Sequence, residues 1–153
     1  MSGISLGQAL RNSIAVERAA VQFYLFLASN TDDADSKAFL FEMSEIEKRH
    51  AEFIEKLSTK LLRGELPQRA DAFCKQVETA PDWTYVDNVT LDQALQVALQ
   101  AEQQAALFYS ALSDSFQPGP ERDFFVRLAA EEDEHARHLQ NLTNGMPTPV
   151  CPL

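Results

Sequence analysis

The chain of 153 residues has only two cysteines, Cys74 and Cys151, and no Cys-x-x-Cys pair. That excludes a thiolate iron or zinc module and a disulfide scaffold within it. In a reducing compartment both are expected to be plain thiols without a chemical role. Glycine is scarce (five), and the seven prolines cluster, which leaves long stretches free to be helical. No apolar run approaches the roughly 18 residues of a membrane span. The start, Met1-Ser2-Gly3-Ile4-Ser5, has neither the basic residues nor the apolar core of a secretory signal. A cytoplasmic location without membrane attachment is therefore expected. Basic residues are in deficit, 13 Lys and Arg against 23 Asp and Glu, and the net charge of −10 argues against nucleic acid and anionic lipid as partners.

What the chain does have is internal repetition. A shift of 85 residues lays Leu6–Ser58 over Leu91–Thr143 without a gap, and fourteen positions coincide. They include Ala9/Ala94, Leu10/Leu95, Glu17/Glu102, Ala20/Ala105, Phe23/Phe108, Tyr24/Tyr109, Phe39/Phe124, Glu47/Glu132, His50/His135 and Ala51/Ala136. About three or four identities would arise at ordinary residue frequencies. Residues 6–58 and 91–143 thus read as two copies of one helical hairpin, and the fold class is all-α, a four-helix bundle in one domain spanning 1–153.

The spacing predicts helices over Leu6–Ser29, Ser36–Leu62, Thr90–Asp114 and from Pro120 to just before Gly145. Thr90 and Gln93 form a capping box, and Pro120 suits a first helical position. Asn30-Thr31-Asp32-Asp33 turns the first hairpin and Pro118-Gly119-Pro120 the second. The crossover 63–89 reaches roughly 85 Å if extended, against about 36 Å for a 24-residue helix, so it can run the bundle's length. Trp83 and Tyr85 in it are expected to cap the core, and the tail 146–153 to be irregular.

Each helix carries an apolar seam at spacings of three and four, and each seam is interrupted at its centre. Helix 1 reads Leu10, Ile14, Glu17, Val21, Tyr24; helix 2 reads Met43, Glu47, His50, Ile54. Helix 3 reads Leu95, Leu99, Glu102, Ala106, Tyr109; helix 4 reads Leu128, Glu132, His135, Leu139. A single Glu-x-x-His on a helix is a weak signal. Two copies at equal offsets, each opposite an inward glutamate, are not. The midpoint of Glu17 and Glu47 is residue 32, and that of Glu102 and Glu132 is residue 117. Both fall in the turns, so the polar residues of each hairpin lie level.

Four ionised carboxylates in one apolar core repel and are costly to desolvate. Two divalent cations carry the charge that balances them. Carboxylate oxygens with two imidazoles suit iron or manganese. The candidate metal ligands are therefore Glu17, Glu47, His50, Glu102, Glu132 and His135. Tyr24 and Tyr109, two turns beyond Glu17 and Glu102, are expected to place their hydroxyls on ligand carboxylates. His138 reads as a solvated helix residue.

One glutamate on each first helix and Glu-x-x-His on each second helix resemble the ferritin-like superfamily. Within it, Ala15–Leu57 and Leu91–Leu142 are most similar to rubrerythrin-type proteins. The resemblance implies a carboxylate-bridged di-iron site, with manganese or zinc as substitutes, that reacts with hydrogen peroxide or dioxygen. It implies bridging or terminal roles for Glu47 and Glu132 and terminal ones for Glu17 and Glu102. It also points to Glu131 as an acid that orients a ligand histidine; the matching residue in helix 2 is Ile46. Rubrerythrins usually carry a four-cysteine rubredoxin module, absent here, so electrons are expected from an external donor such as a rubredoxin. They also carry an extra glutamate one turn after the third-helix ligand, where this chain has Ala105, and symerythrin-like proteins carry one where it has Ala20. The six-ligand set resembles the ferroxidase site of bacterioferritin, yet Lys48 stands where bacterioferritin has its haem-binding methionine. The expected activity is a di-iron peroxidase or oxidase, with iron oxidation and handling, a metal-binding bundle without turnover, or hydroxylation of an organic substrate as alternatives. No fifth helix is expected after Gly145, and the expected assembly is a homodimer, not a cage.

Overall fold

The computed structural model describes residues 3–79 and 89–144. Four long helices appear in this order: α1 Leu6–Ser29, α2 Ala34–Leu61, α3 Leu91–Ser113 and α4 Pro120–Thr143. α1 has the expected bounds. α2 begins two residues earlier than its apolar pattern suggests, because Asp33 caps it. The Asp33 carboxylate accepts from the Ser36 backbone N–H at 2.9 Å and from the Ser36 hydroxyl at 2.6 Å. The Thr90–Gln93 capping box is present in both directions, and Pro120 is the first residue of α4. Trp83, Tyr85, Cys151 and the tail lie outside the described residues. Among the described residues no helix is long and apolar enough to cross a membrane.

The direction of each helix follows from which ends share a core. One apolar cluster joins Leu10 and Ile14 of α1 with Ile54 of α2, Tyr109 and Leu112 of α3, and Phe124, Phe125 and Leu128 of α4. The other joins Tyr24 and Leu27 of α1 with Leu40 and Met43 of α2, Leu95 and Ala98 of α3, and Leu139 of α4. The start of α1 thus lies beside the ends of α2 and α3 and the start of α4. Helices α2 and α3 run parallel, so the chain between them must traverse the bundle. Each fully buried Tyr, Phe, Leu or Ile in these clusters contributes roughly 1.5–3 kcal/mol.

The crossover follows α1. Beyond α2, Gly64 takes φ 117°, a conformation that glycine adopts without strain, and the chain turns back. Leu62 and Leu66 pack on the first cluster. The Arg11 guanidinium donates to the Pro67 carbonyl at 2.6 Å, and the Gln8 amide to the Arg69 carbonyl at 3.1 Å. Buried Asn12 clasps Asp71 in both directions: its amide N–H donates to the carboxylate, and its oxygen accepts from the Asp71 backbone N–H, each at 2.9 Å. A short 3-10 helix, Ala72–Gln76, then lies against α1 and buries Cys74. The sequence pattern did not announce this helix. Val89 re-enters the second cluster just before α3.

Candidate metal centre

Between the two apolar clusters lies a layer of acid. Glu17, Glu47, Glu102 and Glu132 are all buried, as is His135, and the His50 side chain is 12% exposed. One donor atom from each of Glu47, His50, Glu132 and His135 lies within 4.8 Å of the other three. The imidazoles of His50 and His135 stack with ring centroids 5.0 Å apart and planes inclined by 3°. Glu17 joins the group through His50, whose Nδ1 stands 2.9 Å from Glu17 Oε1, 3.3 Å from Glu132 Oε1 and 3.7 Å from Glu47 Oε1. Glu102 meets Glu47 and Glu132 in a second group, again within 4.8 Å. All six residues singled out by the sequence therefore converge, with Glu47 and Glu132 common to both groups.

A seventh residue was not foreseen. Glu78, two residues beyond the 3-10 helix, is 1% exposed and offers an oxygen to the group of Glu47, Glu102 and Glu132. It lies on no helical seam, so periodicity could not find it. Depth could have: the midpoint between the end of α2 at Leu61 and the start of α3 at Leu91 is residue 76. The described part of the crossover, up to residue 79, runs along α1, so the middle of the connection passes the acidic layer.

The electrostatics are those of a site with too many like charges. Burial, then the charge of Glu17, pushes the Glu47 carboxyl up to about 8. Burial, reinforced first by Glu17 for Glu78 and by Glu132 for Glu102, pushes these two well above the carboxylate range. For His50, burial favours the neutral ring, but hydrogen bonds to Glu132 and Glu17 outweigh it and hold the imidazolium. Glu132 is also opposed by burial, yet hydrogen bonding to Glu102 and to His50 holds its carboxyl below the usual value. Among the described residues, eight buried carboxylate oxygens have no partner of hydrogen-bond geometry: Oε2 of Glu17, Oε2 of Glu132 and both oxygens of Glu47, Glu78 and Glu102. Buried acceptors left in that state are costly, and a bound cation would relieve both their mutual repulsion and their want of partners. The donor set, carboxylates with two imidazoles and no thiolate, fits iron. Cys74 stays outside it, its thiol pushed up to about 11 by burial and then by Asp71.

The three residues expected around the ligands sit differently. The Tyr109 hydroxyl donates to the backbone carbonyl of Ser13 at 3.5 Å, one turn before Glu17. The buried Tyr24 hydroxyl has no hydrogen-bond partner among the described residues. Neither therefore bonds a carboxylate: the Tyr109 side chain spans the bundle and ends against the α1 backbone. Burial, with Glu102 next for Tyr24 and Glu17 next for Tyr109, raises both phenols, so each keeps its proton. Glu131 takes Arg127 as its partner at 3.3 Å on the helix surface. It does border His50, in a depression lined by Arg49, His50, Phe53, Arg127 and Glu131. That depression is where solvent meets the layer.

An all-α bundle of two hairpins around a buried carboxylate–histidine layer is the architecture of the ferritin-like class. The rubrerythrin family model matches residues 8–143, and the chain belongs to that family. Two solved structures share its fold. An uncharacterised conserved protein from Magnetospirillum magnetotacticum is 23% identical, with a TM-score of 0.73, covering 97% of this chain and 100% of its own. A hypothetical protein from Pyrococcus furiosus is 22% identical, with a TM-score of 0.61, covering 97% and 96%. At such identities the likeness speaks for the fold alone. No curated protein matches the chain.

Proposed function

We propose that the chain is a non-haem di-iron oxidoreductase that reduces hydrogen peroxide or dioxygen with electrons from a separate donor protein. One observation carries this reading: four buried glutamates, six of whose eight oxygens accept no hydrogen bond among the described residues, converge with two stacked histidines, and all six residues come from equivalent positions of two repeats. Glu17, Glu47, His50, Glu102, Glu132 and His135 are the proposed ligands. Bound there, two ferrous ions supply the two electrons that, with two protons, convert hydrogen peroxide to two molecules of water.

The residues around the layer do the rest. The two apolar clusters close both ends of the site and exclude water. The cleft beside His50 admits a small oxidant, and the Arg49 and Arg127 side chains on its rim attract electron-rich molecules. Tyr24 and Tyr109 hold their protons on Oη, and the unpartnered Tyr24 hydroxyl is available to donate. The chain has no Cys-x-x-Cys pair, and the proposed source of reducing equivalents is a separate partner such as a rubredoxin.

Iron oxidation and handling is the second reading, favoured by Ala105, which leaves the helical ligand set at six as in a ferroxidase. Stopped-flow mixing of the di-ferrous protein with each oxidant separates the two. Peroxide is expected to react faster than dioxygen, with turnover only when a reductant is added. Dioxygen reacting at least as fast transfers the proposal to iron oxidation.

A further inference from the structure

Glu78 is the one glutamate of the acidic layer that no helix carries. Its neighbours explain how it gets there. Arg11, Gln8 and Asn12 tie residues 67–71 to α1, and the 3-10 helix over Ala72–Gln76 continues along the same face. The chain thus arrives at mid-bundle with Val77 and Glu78 at the level of the ligands. At 1% exposure and with neither oxygen accepting a hydrogen bond among the described residues, a carboxylate here has no use for packing and no solvent to relieve it. One of its oxygens lies within 4.8 Å of donor atoms of Glu47, Glu102 and Glu132. It is also a carboxylate on a non-helical segment, free of the rigid spacing that fixes the other six.

We infer that Glu78 is a seventh metal ligand, supplied by the crossover to the Glu47–Glu102–Glu132 side of the centre, and that metal binding thereby fastens the crossover to the bundle. The inference rests on the metal reading proposed above and adds to it a residue and a mechanical consequence. α3 brings one carboxylate to the layer, Glu102, and Glu78 stands beside it from another direction. It makes the two halves of the site unequal, although the repeats that build them are equivalent. With Glu78 the layer holds five carboxylates against two metal ions, a balance that suits ions of charge above two and so favours the oxidised state.

The test uses the full chain, stripped of metal and titrated with Co(II) as the probe. Calorimetry gives the stoichiometry and affinities, and hydrogen exchange follows the backbone of residues 63–79. The wild type is expected to take two Co(II) ions and to slow exchange at residues 72–79 at least tenfold. Glu78→Gln should weaken one of the two sites at least tenfold, leave the other within about threefold, and abolish the metal-dependent slowing. Without metal, Glu78→Gln should melt no lower than the wild type, because it removes a crowded buried acid; a merely structural Glu78 predicts the opposite. Glu78→Asp keeps the charge, draws it back by one methylene and should weaken the same site by less, which serves if the glutamine variant does not fold. Glu65→Gln, an exposed change in the same crossover, should alter nothing. Two unchanged Co(II) sites in Glu78→Gln overturn the seventh ligand and leave the metal centre standing. A wild type that binds no Co(II) overturns both.

Discussion

His50 and His135 hold equivalent places in the two repeats and stack face to face across the bundle, their centroids 5.0 Å apart. The contact marks the approximate twofold axis of the site. Glu47 and Glu132, one turn before them, belong to both donor groups. Each is thus expected to serve both ions. Glu47→Ala and Glu132→Ala should each lower iron occupancy from about two per chain to one or less, read by metal analysis after aerobic loading. Two irons retained in both variants would falsify the assignment.

The metal-free protein should lose stability as the pH rises from about 5 to 8. Glu47 titrates near 8 in the folded chain and near 4.5 when unfolded, so the native state binds more protons in that window. Excess protons on the native state make stability fall with rising pH, by about 1.4 kcal/mol per pH unit for each proton taken up. Glu78, Glu102 and His50, all raised, act in the same direction. Glu132, lowered, acts oppositely and loses its contribution only as the pH drops below the ordinary carboxylate range. Thermal melts of chelator-treated protein between pH 5 and 8.5 check this; a melting temperature that climbs across the window contradicts it.

Metal should reverse that trend. Ligation displaces the protons and binds the folded state selectively, adding about 2.7 kcal/mol when free metal is at 100 times its dissociation constant. The gap in melting temperature between loaded and metal-free protein should therefore widen from pH 6 to pH 8. Equal melting temperatures at pH 8 would mean that the buried acids have no ion to serve.

Asn12→Ala tests the tie between α1 and the crossover. Asn12 is buried and makes two bonds to Asp71, so its truncation strands polar groups at a cost of about 2 kcal/mol. Urea denaturation measures the loss, and hydrogen exchange at residues 67–76 should rise. A change below about 0.5 kcal/mol would show that the crossover holds its course without this clasp.

The assembly is expected to be a dimer on a sizing column. Phe26 and Phe41 on the first hairpin, with Leu107 and Val126 on the second, expose apolar area that a partner copy can cover. A hollow particle of several hundred kilodaltons would contradict this.

The helices and the buried glutamates and histidines borne on them were legible because both obey one periodicity. Glu17, Glu47, His50, Glu102, Glu132 and His135 interrupt apolar seams, and the 85-residue repeat doubles the signal. The start of α2 was read late because Asp33 sets it by a side-chain bond, not by an apolar position. Glu78 was missed because the crossover has no period: its path is set by single bonds to α1, at Pro67, Arg69 and Asp71. Tyr109 was given the wrong acceptor because its reach across the bundle depends on the packing of α1 against α3, which spacing along one helix does not encode.

The two apolar clusters each draw on all four helices, so neither hairpin encloses a core alone. A single hairpin of this kind would need a second copy to close its core, and a symmetric pair would present its acidic side chains in even numbers. Five buried glutamates meet in this layer. The odd one, Glu78, sits on the segment that joins the two repeats. That stretch has no symmetry mate, so a change along it alters one half of the centre without altering the other.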